Sequence, residues 1–252
     1  EAYGKTTVNY NRDVEIFPVL NAMFEKIQGT SPYKSPTDMG VNMAGFAIVD
    51  DAACPAASRM EILRRYYTGL VDRVKGKCDE CVVRKLEIVM QQAGVTPDIC
   101  PAVRASLDKA QATGAPAGAM VLPDGRVVTG KTSSLLGPSA AMLLNAVKLL
   151  AGIDKDLDLL PASIIAPISD MKLRHLGHHN PRLHSDEVLI ALSISAVTNP
   201  LAERVLKKLD DLRGSEAHFS VILSEEDAKL YKRLGIHVSC EPRYEVKKLY
   251  HK

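Results

Sequence analysis

Apolar residues in the first third of the chain recur at helical spacing. In residues 55–74 they fall at positions i, i+3, i+4, i+7 and i+8, and a second set in residues 82–93 ends before Gly94. Two amphipathic segments of similar length with a short break between them predict an antiparallel helical pair. A shorter apolar set in residues 14–27 predicts a further helix. Residues 1–95 are therefore predicted to form a mainly helical domain.

Residues 96–252 show a different pattern, in which short apolar runs alternate with helical segments. The string AGAMVLPDGRVVTG predicts two strands joined by a turn at Asp124-Gly125. Three further strands are predicted at LDLL, HFSVIL and IHVSC, with helices between them. This order predicts an α/β (α+β) domain, with a mixed sheet of about five strands between helices in a three-layer α/β/α arrangement.

The order helix, β-hairpin, helix, strand, helices, strand, helix and strand resembles the plan of cytidine deaminases. That resemblance implies a zinc ligand and a catalytic glutamate at the start of the helix after the hairpin, because a zinc-bound water needs a proton shuttle. Ser139, Ala140 and Ala141 stand there instead, and NPRLHSDE supplies no counterpart of the second, Cys-containing ligand pair. The prediction is a deaminase-like fold without a metal site and without deaminase activity.

The charge balance excludes one class of function. The 252 residues contain 32 Lys and Arg against 30 Asp and Glu, a net charge of +2, so no strong overall positive field attracts nucleic acid. No apolar run reaches the ~18 residues of a membrane-spanning helix, and no membrane partner is predicted. Five cysteines without a signal peptide predict a reducing cytoplasm. The opening EAYGKTTVNYNRD, without Met, is interpreted as part of a longer protein.

Residues 125–132 match the GxxxxGK[ST] pattern letter by letter. A working P-loop is not predicted, because Gly125 lies in a hairpin turn and the residues after it are strand formers. The segment nevertheless leads into a helix start, and residues 126–153 contain no acidic side chain. Such a helix start suits a phosphate or carboxylate. The candidate anion-binding residues are Lys131, Thr132, Ser133 and Ser134, and the alternative is a solvated Ser/Thr turn.

Two other polar groups are candidates for ligand contact. Arg182, His184 and Asp186 can line a cleft as a hydrogen-bond donor, a titrating group and a carboxylate, unless they form only a polar loop and a helix start. The string near the N-terminus has few bulky residues and is predicted to contact a ligand, unless it merely links domains. Its candidate residues are Lys5, Thr6, Asn9 and Arg12.

Whole motifs resemble a bacterial family named domain of unknown function 1846. The motifs that carry the resemblance are KTTVNYNRDVEIFPVL, SPYKSPTDMGVNM, GKTSSLLG, NPRLHSDEVLIALSISA and HVSCEP. The match runs through all 252 residues and is interpreted as the C-terminal half of the family. Some members carry an "ATP-dependent peptidase" label, which no residue here supports. The resemblance implies fold and compartment but transfers no catalytic role.

Two functions of different classes follow from these features. The first is a cytoplasmic enzyme, or half of one, that binds a nucleotide or other phosphorylated small molecule between its domains, with no further cofactor predicted. The second is a non-catalytic scaffold or oligomerisation module on a deaminase-like fold that has lost its metal. The apolar string VLIALSISA suits either a core or a subunit contact, and a homo-oligomer is expected.

Overall fold

The computed structural model describes residues 13–34 and 53–245. The chain divides into two compact units, Glu1–Ile99 and Cys100–Lys252. In the first unit the described helices are α1 (Asp13–Gln28), α2 (Ala53–Val74) and α3 (Glu80–Gln92). The helices α2 and α3 pack against each other, as the two apolar patterns predict. None of the described helices combines the length and the apolar character that a membrane crossing needs.

The second unit alternates helices and strands. Its elements, in chain order, are α4 (Pro101–Thr113), β1 (Ala117–Val121), β2 (Val127–Lys131), α5 (Pro138–Leu150), α6 (Ala162–Arg174), α7 (Ser185–Ser195), α8 (Pro200–Leu206), β3 (Glu216–Phe219), α9 (Glu225–Arg233) and β4 (His237–Cys240). The four strands form one mixed sheet in the order β2-β1-β3-β4. Strand β1 is antiparallel to β2 and β3, and β3 is parallel to β4.

Two predicted elements differ from the structure. The LDLL segment, residues 157–160, is not a strand. It begins in a loop in which the buried Lys148 ammonium donates to the carbonyls of Lys155 (2.5 Å) and Leu157 (2.6 Å). The described sheet therefore has four strands, and the prediction of about five was wrong. The apolar positions Leu201, Val205, Leu209 and Leu212 predict one helix that begins at Pro200 and stops at Gly214. Instead α8 ends at Leu206, and a short 3-10 turn covers Asp210–Leu212.

Helices pack on both faces of the sheet. Gly118 and Gly130 are cross-strand partners, and a Cβ atom on Gly130 would collide with the backbone of Met142 in α5. Gly130 therefore lets α5 approach the sheet closely, and Gly118 leaves room for the Phe219 ring. Successive residues of a strand point to opposite faces. Ala119 and His218, fully buried on the other face, lie under α4, which packs against β1, β2 and β3.

Candidate functional site

Two of the predicted polar groups lie at one edge of the second unit. The backbone of Leu183 pairs with the connection between β2 and α5: its N–H donates to the Leu135 carbonyl (2.9 Å), and its carbonyl accepts from the Gly137 N–H (3.2 Å). This pairing brings the segment before α5 alongside the segment before α7. We call residues 131–140 and 182–187 together the α5–α7 edge.

The start of α5 has unpaired hydrogen-bond donors. Gly137 precedes the helix and offers no side chain as a cap, and Pro138 has no N–H. The N–H groups of Ser139 and Ala140 have no partner within the described part of the chain, although both residues are buried. Unpaired buried N–H groups are rare in folded proteins because each costs free energy. The start of α5 therefore fits a bound acceptor group.

A buried hydroxyl lies beside this helix start. Thr132 is 7% exposed, and its Oγ1 atom has no hydrogen-bond partner among the described residues. Gly130 lies against Met142, and Asn145 donates to the Thr129 carbonyl (2.9 Å), so α5 runs antiparallel to β2. Two strand residues span about 6.6 Å, which equals about four helical residues. Thr132 points to the same face as Gly130 and therefore lies level with the first residues of α5.

The other residues of the predicted anion-binding turn have different surroundings. Lys131 is exposed and, by strand alternation, points to the face of β2 opposite to Thr132. Ser133 shapes the turn, since its Oγ atom accepts from the N–H groups of Leu135 (3.2 Å) and Leu136 (3.0 Å). Ser134 is exposed. The GRVVTGKT string forms a hairpin turn and a strand, which is not the conformation of a P-loop.

His184 forms a pair with a carboxylate that the sequence did not indicate as its partner. Its Nδ1 atom lies 3.2 Å from Oδ2 of Asp227, in the first turn of α9. Asp227 also accepts from the Ser185 N–H (2.9 Å) and the Ser224 hydroxyl (3.1 Å). Burial alone would raise the pKa of Asp227, but the hydrogen bonds from His184 and Ser185 outweigh burial and lower that pKa to about 2. The hydrogen bond to Asp227 raises the pKa of His184, although burial opposes this shift.

A buried lysine holds the backbone in front of α7. The Lys172 side chain is 1% exposed, and its Nζ atom donates to the Arg182 carbonyl (2.8 Å) and to Oε2 of Glu187 (2.6 Å). The same Glu187 oxygen accepts from the His184 N–H (2.8 Å). Lys172 thus fixes both the chain before His184 and the first turn after it.

Tyr231 connects α9 to the start of α5. Its hydroxyl donates to the Ser139 carbonyl (2.8 Å), and its ring stacks edge-on against Phe219, with ring centres 5.6 Å apart. Burial raises the pKa of Tyr231 well above its ordinary value. The neighbouring Ser185 hydroxyl is buried and lowers the pKa of both Tyr231 and Asp227, yet its oxygen meets no partner at hydrogen-bond geometry.

The remaining predicted residues are used in other ways or lie outside the described residues. Arg182 is ion-paired with Glu245 (2.5 Å), and Asp186 accepts from the Glu187 N–H (2.9 Å). Carboxylates thus already occupy the start of α7, which makes it unsuitable for an anion. Within the described ranges, no group of three or more His, Cys, Asp or Glu residues could hold a metal. The N-terminal candidates, which lie outside those ranges, are Lys5, Thr6, Asn9 and Arg12.

Sequence reasoning found His184 but missed its partner. The motif Ser224-Glu-Glu-Asp227 predicts a helix start, and Ser224 does cap α9 by accepting from the Asp227 N–H (3.1 Å). Nothing in that motif indicates contact with a histidine 43 residues earlier. Lys172 and Tyr231 were missed for a similar reason, since each looks like an ordinary helical residue until the fold brings its partner close.

The chain is similar to known proteins along its whole length. Residues 1–94 match the family described as domain of unknown function DUF1846, N-terminal, and residues 98–250 match the corresponding C-terminal domain. UPF0371 protein stu1377 of Streptococcus thermophilus is 54% identical over 252 residues, which are 100% of this chain and 51% of that protein. UPF0371 protein SpyM50764 of Streptococcus pyogenes is 53% identical with the same coverage.

These similarities correct one expectation. The interpretation that the chain corresponds only to the C-terminal half of the family is too narrow, because residues 1–94 match the N-terminal domain. The chain spans about half the length of the curated relatives it matches. Because the two domain matches together cover nearly the whole chain, it belongs to the DUF1846 family.

Proposed function

We propose that the second unit binds a phosphorylated small molecule, with its phosphate at the start of α5. The observation that carries this proposal is the buried Thr132 hydroxyl, which has no partner in the described structure and lies level with the unpaired N–H groups of Ser139 and Ala140. One hydroxyl and two N–H groups supply three donors to one anion. Hydrogen bonds to a charged acceptor are about twice as strong as neutral ones.

The electrostatics of the α5 start support an anion rather than a neutral ligand. The helix dipole places partial positive charge there, and residues 126–153 contain no carboxylate before Asp154. Lys131 adds a full charge within the same turn, although its side chain points to the other face of β2. We infer that Lys131 attracts the ligand over a distance and that Thr132 contacts it. A nucleotide belongs to this ligand class.

We further propose that the second unit has a deaminase-like fold. The strand and helix order, the sheet order β2-β1-β3-β4 and the position of α5 directly after the hairpin support this proposal. In the deaminase resemblance, the start of that helix is the zinc site. Here Ser139, Ala140 and Ala141 supply backbone donors at the same place, and an anion replaces the metal as the partner that this position suits.

Thr132→Val tests the proposed phosphate contact, because it removes the hydroxyl and nearly keeps the side-chain shape. We expect calorimetric titration with inorganic phosphate and with AMP to show binding at least about tenfold weaker, since a hydrogen bond to a charged group contributes about 1.5–3 kcal/mol. Thr132→Ser restores the hydroxyl and should bind within about threefold of the parent. Equal binding by the parent and by Thr132→Val would contradict the proposal.

The contribution of Lys131 is separable from that of Thr132. Lys131→Ala removes one charge near the site, whereas Arg126→Ala removes one charge at the hairpin turn, where Arg126 pairs with Asp124 (2.7 Å). We expect phosphate binding to weaken more in Lys131→Ala than in Arg126→Ala, and the difference to shrink at high salt.

A second candidate function, a self-associating scaffold, is favoured by one face of α7 and the turn after it. Val188, Ala191 and Leu192 are buried, whereas Ile190, Ile194 and Val197 are 61%, 67% and 84% exposed. Residues 188–202 contain no charged side chain. We infer that a second copy of this chain covers this face. A two-fold axis would place the face against itself, and because the face is uncharged, no like charges would meet there.

Ile194→Glu tests this second candidate. Two copies of the variant would bring carboxylates into an apolar contact, so we expect sedimentation equilibrium to show a dimer for the parent and a monomer for the variant. Leu149→Glu, which changes a partly exposed apolar residue of α5, is the matched control and should remain dimeric. A parent that is monomeric throughout would exclude self-association through this face.

A further inference from the structure

One ring nitrogen of His184 is hydrogen-bonded, and the other has no hydrogen-bond partner among the described residues. Asp227 accepts from its Nδ1 atom, and Nε2 makes no hydrogen bond with a residue that the structure describes. The Asp227 carboxylate is buried, and its two oxygens take three donors in total, from His184, Ser185 and Ser224. A carboxylate at Nδ1 keeps the proton on that nitrogen, so the Nε2 lone pair is left available.

His184 is the more exposed member of this pair. The His184 side chain is 27% exposed, and that of Asp227 is 6% exposed. The preceding residue, Leu183, is paired with the segment that leads into α5. Lys172 fixes the backbone on both sides of His184. The histidine is therefore held rigidly at the same edge as the proposed phosphate position.

We propose that His184 is a proton-transfer residue for a phosphate monoester bound at the start of α5, with Asp227 as its positioning residue. This inference rests on the proposed anion site. In the transfer, a proton moves between the Nε2 atom and a phosphate oxygen, and no other bond forms or breaks. A monoester loses its second proton near pH 6, in the range where an imidazole titrates, whereas a diester or sulfate has no proton to exchange there.

The charges that face His184 determine the direction of the transfer. Asp227 and Glu187 favour the imidazolium form, and Lys172 disfavours it. The Arg182–Glu245 pair before the helix adds no net charge, and Tyr231 is neutral in this pH range. A phosphate dianion beside Nε2 adds further stabilisation of the imidazolium. Binding of the dianion near pH 7 should therefore increase the protonated fraction of His184.

Calorimetric titration of the whole chain with inorganic phosphate at pH 7, in two buffers of different ionisation enthalpy, counts the protons taken up or released on binding. Free phosphate near pH 7 is a mixture of mono- and dianion and itself releases protons when the dianion is bound, so the count is compared between variants. We expect the parent to take up more protons, or release fewer, than His184→Gln, with Asp227→Asn in between. Phosphate affinity at pH 7 should fall in His184→Gln, because the imidazolium that stabilises the dianion is lost, while the donors at the start of α5 keep the binding measurable. Equal proton counts for the parent and His184→Gln would overturn the inference and leave the anion site standing.

Nitrogen NMR of the ligand-free parent tests the pair without any variant that risks unfolding. Neutral His184 should carry its proton on Nδ1, whereas the exposed His178 and His179 serve as internal references for free imidazoles. A proton on Nε2 in neutral His184 would overturn the role assigned to Asp227 and the inference with it. Absence of phosphate binding by the parent would instead overturn the anion site, and the inference would fall because it rests on that site.

Discussion

Gly130→Val is expected to destabilise the second unit by about 3 kcal/mol or more, because overpacking a filled contact forces backbone shifts. A Cβ atom at this position would overlap the backbone N and Cα atoms of Met142 and the carbonyl carbon of Ala141. Backbone atoms of a helix cannot move aside by a rotamer change, so α5 itself would have to leave the sheet. Urea denaturation followed by circular dichroism measures the loss.

Gly137→Ala is the matched control for this prediction. The added Cβ atom would lie 3.7 Å from the Leu183 carbonyl oxygen, an ordinary contact, at a backbone φ of −68° that any residue adopts. We expect a loss of no more than about 1 kcal/mol, which reflects only the lower preference for alanine than for glycine at a helix N-cap. If Gly130→Val were as stable as Gly137→Ala, the close packing of α5 on the sheet would be refuted.

Asp227→Asn is expected to lower the free energy of unfolding by about 2 kcal/mol near pH 6. The pKa of Asp227 falls from 3.8 to about 2 on folding, and each pKa unit corresponds to about 1.4 kcal/mol. A lowered pKa in the folded state contributes stability above pH 3.8, and that contribution disappears as the pH falls towards 2. The raised pKa of His184 contributes stability that is fully present below pH 6.5, its ordinary pKa, and is lost as the pH rises above that value.

The pH dependence distinguishes this charge effect from simple loss of packing. Urea unfolding at several pH values should show the largest difference between parent and variant from pH 4 to 6.5, and little difference near pH 2. A difference that stays constant down to pH 2 would mean that the Asp227 side chain stabilises through its shape rather than its charge.

Much of the fold is predictable because local signals agree with the tertiary packing. The Asp124-Gly125 turn fixes the hairpin register, and apolar stripes fix the helices that cover the sheet. The strand prediction for LDLL was wrong because Leu159 and Leu160 are buried without strand pairing. They follow a loop whose Lys155 carbonyl accepts a hydrogen bond from Lys148. A side chain that binds backbone carbonyls leaves no periodic signal in the sequence.

The candidate site was predictable in its location more than in its chemistry. The acid-free segment before α5 indicated the helix start, but the sequence favoured the charged Lys131 over the neutral Thr132 as the main ligand contact. Strand alternation, counted from the contact of Gly130 with α5, separates them, and that contact requires the fold. The pairing of His184 with Asp227 likewise depends on two helix starts that meet only in three dimensions.

The most direct test of the proposed anion site is a backbone amide NMR titration with inorganic phosphate. We expect the amide resonances of Ser139 and Ala140 to show the largest shifts and to saturate together, because their N–H groups become hydrogen-bond donors to the anion. The amide of Ser185, already bonded to Asp227 (2.9 Å), should shift less. Saturating shifts elsewhere in the chain, with Ser139 and Ala140 unchanged, would contradict an anion site at the start of α5.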